Sequence, residues 1–388
     1  AEGSLDVALV TGGEARYRAL RAAIAGVEVG ETPSGSAPDQ TMEPDAELYH
    51  DVETAALGYM PVGYYAIIES AIRARLGLGV EQHRDSLAQL YSEFSAVAQA
   101  NPHAWKRERL APEMIRNPSE RNPMLAFPYA KLHNTSWNVD QAAALLFCSA
   151  SRAQALGIPR ERWIFPQASA ESNIMRSLAE RPDLSSLPGA KLAGEAVLAH
   201  AGINPNDVDL IDLYSCFPAA VELYAMAIGL PLSGALTVTG GMPFAGGPLN
   251  NYVLQATGRM AQLLREGRGD TGLISTVSGL MTKQAFALWS RHAPSSPFTV
   301  FDVSREVAAQ CPARAVVGEC EGRATIIGYT VLYESGRRQQ AVALLELADG
   351  QRTLAISKDP ELMQKMESEE YVGASVNVCE GGFVPVGE

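Results

Sequence analysis

The 388-residue chain is long enough for two or three domains with large buried cores. Its 47% apolar and 19% charged content, with 34 glycines and 23 prolines, excludes a collagen-like or extensively disordered chain. Lys and Arg total 31 against 44 Asp and Glu, and the resulting charge of −13 repels phosphate backbones and anionic lipid, which disfavours nucleic-acid and membrane partners. The five cysteines, Cys148, Cys216, Cys311, Cys320 and Cys379, form no CxxC pair and leave one over, which argues against both a zinc site and a disulfide framework and fits a reducing cytoplasm. No apolar stretch approaches the ~20 residues of a spanning helix, and no basic-then-apolar leader opens the chain, so a soluble protein is expected.

In chain order, Leu5 to Thr11 is an apolar run ending in Gly12 and Gly13, read as a buried strand entering a turn. Such a strand needs neighbours on both sides, so a preceding segment or a partner chain is expected to complete the fold. Arg16 to Ile24 reads as a helix and Gly30 to Asp45 as a Gly/Pro/Ser-rich connector. Helical patterns run from Thr54 to Leu78 and from Gln82 to Ala100, and a polar, proline-punctuated, surface-exposed loop region follows to Pro128. From Asp140 strands and helices alternate. Strands are expected at Ala142 to Ser149, Trp163 to Ala168, Val208 to Leu213, Gly272 to Val277 and Gln284 to Ser290. Helices are expected at Arg152 to Leu156, Lys191 to Ala201, Ala219 to Ile228 and Asn251 to Leu264. Leu192, Ala196 and Ala199 share one face of the second of these, and Gly202 suits its left-handed C-terminal position. This alternation specifies an α/β sheet with helices on its faces.

A decayed repeat is visible. The strand ending at Gly13 finds its partner in Ala142 to Ser149 only after a long insertion, whereas Gly272 to Val277 and Gln284 to Ser290 are almost contiguous. Beyond Pro294 and Pro297 come short β runs near Val316 and from Arg323, Gln340, Arg352 and Ala374, with turns at Glu334 to Gly336 and Asp349 to Gly350. They read as a separate small barrel of the OB type.

These elements resemble the thiolase superfamily over about residues 5–293. The strand DLIDL ends in Tyr214, Ser215, Cys216, Phe217, where thiolases carry NEAF or HDCF, and GGMPFAGGPL from Gly240 matches the family's GGxxxxGHPLG loop. LVTGGEA from Leu9 and NVDQAAALLFCS resemble two further strands of the family. The added β domain points to the type 1 thiolase-like proteins. The resemblance implies a layered α-β-α-β-α fold divided as 1–50 and 138–180 (first thiolase half), 51–137 (inserted loop subdomain), 181–293 (second half) and 294–388 (OB-like domain).

The departures bear on function. In the family the nucleophilic Cys sits at a helix N-terminus just ahead of the strand that starts here at Leu5, a segment this chain does not contain. The His of the GHP loop aligns with Gly247, the acid/base Cys of the CxG motif with Val277 ahead of Ser278 and Gly279, and the Asn or His that positions the oxyanion-hole water with Tyr214. Tyr214 is then a candidate acid or hydrogen-bond donor to a thioester carbonyl, against a reading as a packed strand-end ring. Cys216 reads better as a buried small hydrophobe than as a nucleophile. Of Asn250 and Asn251, one suffices as helix N-cap and the other is free to present its amide to substrate. Gly240, Gly241, Gly246 and Gly247 either leave N–H groups free for an oxyanion or serve tight packing. His133 is a candidate for the pocket mouth, with a solvated loop position favoured. His50, His83, His103, His200 and His292 show no metal-ligand spacing, no metal is expected, and the Cys379 to Gly382 quartet is a chance echo of CxGG.

Coenzyme A or an acyl-CoA is the ligand the resemblance implies, with no permanently bound cofactor and with Lys106, Arg107 and Arg109 either meeting its phosphates or forming a solvated charge run. Two readings follow. One is an acyltransferase or carbon–carbon lyase working next to the thioester through Tyr214. The other is a non-catalytic acyl-CoA- or partner-binding homologue, monomeric or homodimeric.

Overall fold

The computed structural model describes residues 5–30, 35, 37, 39–41, 43 and 46–386, and the remainder of the Gly30 to Asp45 connector lies outside the described residues. The first strand, β1 (Val7–Ala15), is followed by the helix Arg16–Ala25 and then by the insertion. That segment carries helices Asp51–Leu57, Pro61–Leu76 and Val80–Ala100 and a short hairpin of β2 (Met124–Ala126) and β3 (Tyr129–Ala130). Only then does β1 meet its partner β4 (Asp140–Cys148), antiparallel over nine residues from Val7 opposite Cys148 to Ala15 opposite Asp140. The repeat pairing expected from sequence is present, but burial of these two strands is not. Leu9 and Leu146 are 65% and 64% exposed. Apolar patterning identifies a strand without saying what covers it.

The main sheet holds β5 (Phe165–Asn173), β6 (Leu210–Asp212), β7 (Thr271–Ser278), β8 (Lys283–Ser290) and β9 (Thr299–Asp302) in the order β6-β7-β8-β5-β9. β8 runs antiparallel to both β7 and β5, while β6 joins β7 and β9 joins β5 in parallel. β9 lies in the 294–388 segment, so the sheet draws its edge strand from beyond Pro294 and Pro297. Helix Tyr252–Arg265 packs on both β7 and β4, between sheet and ribbon, whereas Pro188–Ala201 covers the other face through β5 and β8 and Arg16–Ala25 lies on β4. Helix, ribbon, helix, sheet and helix follow one another as the resemblance implies.

Helix Pro188–Ala201 buries Ala190, Ala193, Gly194, Val197 and Leu198, not the face of Leu192, Ala196 and Ala199 expected from hydropathy. A methyl added at Gly194 would lie 2.3 Å from Ile228 Cγ2, so the closest approach falls where the helix has least side chain. Residues 102–128 are likewise less exposed than expected. Leu110, Ile115, Met124, Ala126 and Phe127 are buried, and Ala126 pairs with Leu332 of the terminal domain.

That domain is a closed barrel of five strands, β10 (Gly322–Glu334), β11 (Arg337–Leu347), β12 (Arg352–Ser357), β13 (Ser375–Cys379) and β14 (Gly382–Pro385). β10 pairs with both β11 and β13, β12 with β11 and in parallel with β14, and β13 with β14, which closes the ring β10-β11-β12-β14-β13. Helix Pro360–Met366 bridges β12 to β13. The ring is the OB-like arrangement expected. Two-residue turns with positive φ, Ser335–Gly336 and Glu380–Gly381, join its hairpins, so the Cys379 to Gly382 quartet is a β-turn. Among the described residues no helix is long and apolar enough to cross a membrane.

Candidate functional site

A cavity of about 670 Å³ opens where the end of β6, the β7–β8 turn and the glycine-rich loop face the inserted segment. Tyr214, Cys216, Gly247, Asn250, Ser278 and Gly279 line one side, as the sequence pattern grouped them. Tyr65, Trp105, Lys106, Lys131 and Trp137 line the other. Tyr214 is held by its backbone N–H, which donates to Ser275 Oγ at 2.9 Å, and by an edge-on contact with the Tyr252 ring at 5.5 Å. Its hydroxyl has no hydrogen-bond partner among the described residues. Burial raises the phenol above its ordinary pKa, with the neighbouring Cys216 adding to the effect, so the group stays protonated and able to donate. Burial likewise pushes the Cys216 thiol up to about 12, against the opposing hydrogen bond of Tyr65. A thiol so disposed is no thiolate nucleophile, in keeping with the small-hydrophobe reading.

The floor beneath Tyr214 is organised by a residue the sequence reading passed over. Asp212 is fully buried, and its carboxylate accepts from Tyr252 Oη (2.8 Å), Thr237 Oγ1 (2.9 Å), Thr239 Oγ1 (2.9 Å) and the N–H groups of Val238 and Thr239 (3.0 Å each). Burial moves its pKa up and these donors oppose it. An acidic residue inside an apolar strand was the available signal.

Three of the four loop glycines have their N–H groups engaged within the protein. The N–H groups of Gly240, Gly241 and Gly247 donate to Thr237 Oγ1, Thr239 Oγ1 and Ser136 O, and that of Met242 to Ser215 Oγ. Gly240, Gly241 and Gly246 lie outside the cavity wall, and methyls there would stand 2.4 Å from Ala98 Cβ, 2.5 Å from Phe94 Cδ2 and 2.2 Å from Gln141 Oε1. Any side chain there would have to displace its neighbours. Gly247 does face the cavity, yet a methyl on it would sit 2.2 Å from Thr135 Cγ2 and 2.9 Å from Met242 Cε. Gly247→His is therefore expected to lower stability by about 1–3 kcal/mol through overpacking, read by denaturant titration. A variant as stable as the wild type would show that the loop can yield.

Asn250 is exposed and lines the cavity, while Asn251 is buried at the N-cap position without a capping bond, so neither caps the helix through its side chain. His133 is 2% exposed and outside the cavity, contrary to both the pocket-mouth and the solvated readings. Its Nδ1 accepts from Ala130 N at 3.2 Å and its ring lies against Tyr91 and Tyr129. Lys106 reaches the cavity, donating to Ser136 Oγ at 2.7 Å, and burial followed by the charge of Lys131 lowers its pKa. Arg107 and Arg109 are exposed and absent from the wall. Lys131, a lone lysine in a loop, carried no sequence signal. Leu249, Leu280 and Met281 have φ of 44°, 51° and 66°, and the first two line the cavity, so backbone strain concentrates here.

Residues 302–382 match the family model of the additional C-terminal domain of thiolase-like protein type 1. A monomeric SCP2-thiolase-like protein type 1 from Mycobacterium smegmatis superposes with a TM-score of 0.81 at 28% identity, covering 99% of this chain and 78% of its own. The dimeric peroxisomal thiolase of Saccharomyces cerevisiae superposes at 0.50 and 16% identity over 75% of this chain and 70% of its own, which speaks to the fold alone. An acetyl-CoA acetyltransferase of Methanocaldococcus jannaschii is 35% identical over 78 residues, and this match spans 20% of either chain. The terminal barrel, the layered sheet and these likenesses agree: the chain has a thiolase-like fold, carries the additional C-terminal domain of thiolase-like protein type 1 and resembles those proteins over its length.

Proposed function

We propose that the chain binds an acyl-coenzyme A thioester in the Tyr214 cavity without the proton-transfer chemistry of a thiolase. One observation carries this reading: a single cavity unites the family's motif positions with two lysines from the insertion, Lys106 and Lys131, in an otherwise acidic protein. Apolar walls suit a pantetheine arm and the lysines suit phosphate oxygens. In the motif resemblance Gly247 and Val277 align with a thiolase's His and acid/base Cys, and neither side chain can move a proton. Thiolysis of acetoacetyl-CoA is expected to stay at background, and turnover in the usual range of about 1–1000 per second would overturn this. Calorimetry and thermal shift with acetyl-CoA and longer acyl-CoAs test binding itself. Saturable heat and a raised melting temperature are expected, and silence up to millimolar ligand would count against the proposal.

A second reading, bond making or breaking beside the thioester, is favoured by Tyr214, which lines the cavity with its phenol kept protonated by burial. In either case Tyr214→Phe is expected to weaken acyl-CoA binding by about 0.5–1.5 kcal/mol while leaving melting unchanged, since the ring contact with Tyr252 persists. Lowered stability with unaltered affinity would make the hydroxyl a structural group.

A further inference from the structure

Away from the cavity, three helices each bring one side chain to a common point. Glu69 comes from Pro61–Leu76, His83 from the first turn of Val80–Ala100 and Glu222 from Pro218–Ala227. All three are at least 97% buried. His83 Nε2 stands 3.2 Å from Glu69 Oε1 and 3.5 Å from Glu222 Oε1, and one donor atom from each residue lies within 4.8 Å of the others. Yet neither ring nitrogen forms an aligned hydrogen bond, and Glu69 Oε1 and Glu222 Oε2 have no partner either. His83 Nε2 and Glu69 Oε1 thus face each other unpaired in a buried pocket, with the Glu222 carboxylate beside them. Among the described residues no Lys or Arg nitrogen comes within ion-pair distance of either carboxylate.

We propose that Glu69, His83 and Glu222 bind one divalent zinc-like ion, with solvent completing its shell. Ligand bonds of about 2.0–2.2 Å in tetrahedral array place donors about 3.4 Å apart, close to the spacing seen. Two carboxylates neutralise a divalent ion in this low-dielectric setting, and a mixed oxygen and imidazole set suits zinc. Outer support is present: the Tyr129 hydroxyl donates to Glu69 Oε2 and accepts from Ala219 N at 3.3 Å. A route exists too. Glu222 lines a surface depression of about 740 Å³ whose rim carries Glu93 and Glu113 together with an Asp85–Arg116 ion pair, a net acidic approach for a cation. The sequence shows no ligand spacing because each donor comes from a different helix.

The test is zinc titration of chelator-stripped full chain, followed by calorimetry and elemental analysis. One zinc per chain and a raised melting temperature are expected, with at least a 100-fold loss of affinity in Glu222→Gln and His83→Gln, and about a 10-fold loss in Tyr129→Phe. Uptake unchanged in both ligand variants would place the zinc elsewhere and overturn the proposal. Cobalt titration of the wild type does not depend on how the variants fold: intense visible bands of four-coordinate cobalt are expected, and their absence at saturating cobalt would also overturn it.

Discussion

Asp212→Ala is expected to cost on the order of 3–5 kcal/mol and to weaken acyl-CoA binding as well, the largest effect of any single change near the cavity. The substitution removes the acceptor shared by five donors, in Tyr252, Thr237, Val238 and Thr239, and leaves only the bonds among Thr237, Thr239 and Tyr252 to hold the floor of the site. Thr237 and Thr239 in turn accept from Gly240 and Gly241, so the glycine loop loses its anchor. Tyr252 meets the Tyr214 ring edge-on, which carries the disturbance to the motif residue. Asp212→Asn keeps the volume and one acceptor oxygen but turns an amide toward the donors, and its loss is expected to fall between. Urea midpoints for the two variants order them, and a change below about 1 kcal/mol for Asp212→Ala would mean that the loop is held by its own backbone.

The sequence is most legible where a residue type answers to one local demand. Tyr214, Cys216 and Phe217, the Gly247 end of the glycine loop and the β7–β8 turn line one cavity because motif spacing fixes them on adjacent strand ends, and paired turn residues such as Ser335–Gly336 mark the barrel hairpins. It misleads where the partner comes from far along the chain. Nothing in the loop glycines states that Ala98, Phe94 and Gln141 will press on them. Their N–H groups looked free for substrate only because Thr237, Thr239 and Ser136 were not yet in place. Hydropathy also underrates glycine, which is why the buried face of Pro188–Ala201 was assigned to the wrong stripe. Glu69, within YYAIIESAI, did carry a signal: a carboxylate in an apolar helical run has to find company.

His133 makes the clearest pH prediction. Enclosed by Tyr91 and Tyr129, its imidazole is depressed from 6.5 to about 4 by burial, against the bond from Ala130 and with a small further push from Arg84. At pH 7 folded and unfolded chains both hold it neutral. As pH falls through 6.5 the unfolded chain takes a proton that the folded chain refuses until about 4, so stability declines across this window. At about 1.4 kcal/mol per pH unit the full loss is about 3 kcal/mol. Carboxyl groups also titrate toward the acid end of this window, whereas the difference between wild type and His133→Gln isolates the imidazole. The variant is expected to be the less stable at pH 7, having lost the ring contacts, and the gap is expected to close by about 3 kcal/mol toward pH 4. Urea titrations at half-unit pH steps measure it, and a gap that stays constant would mean that the ring ionises in the folded chain and meets water.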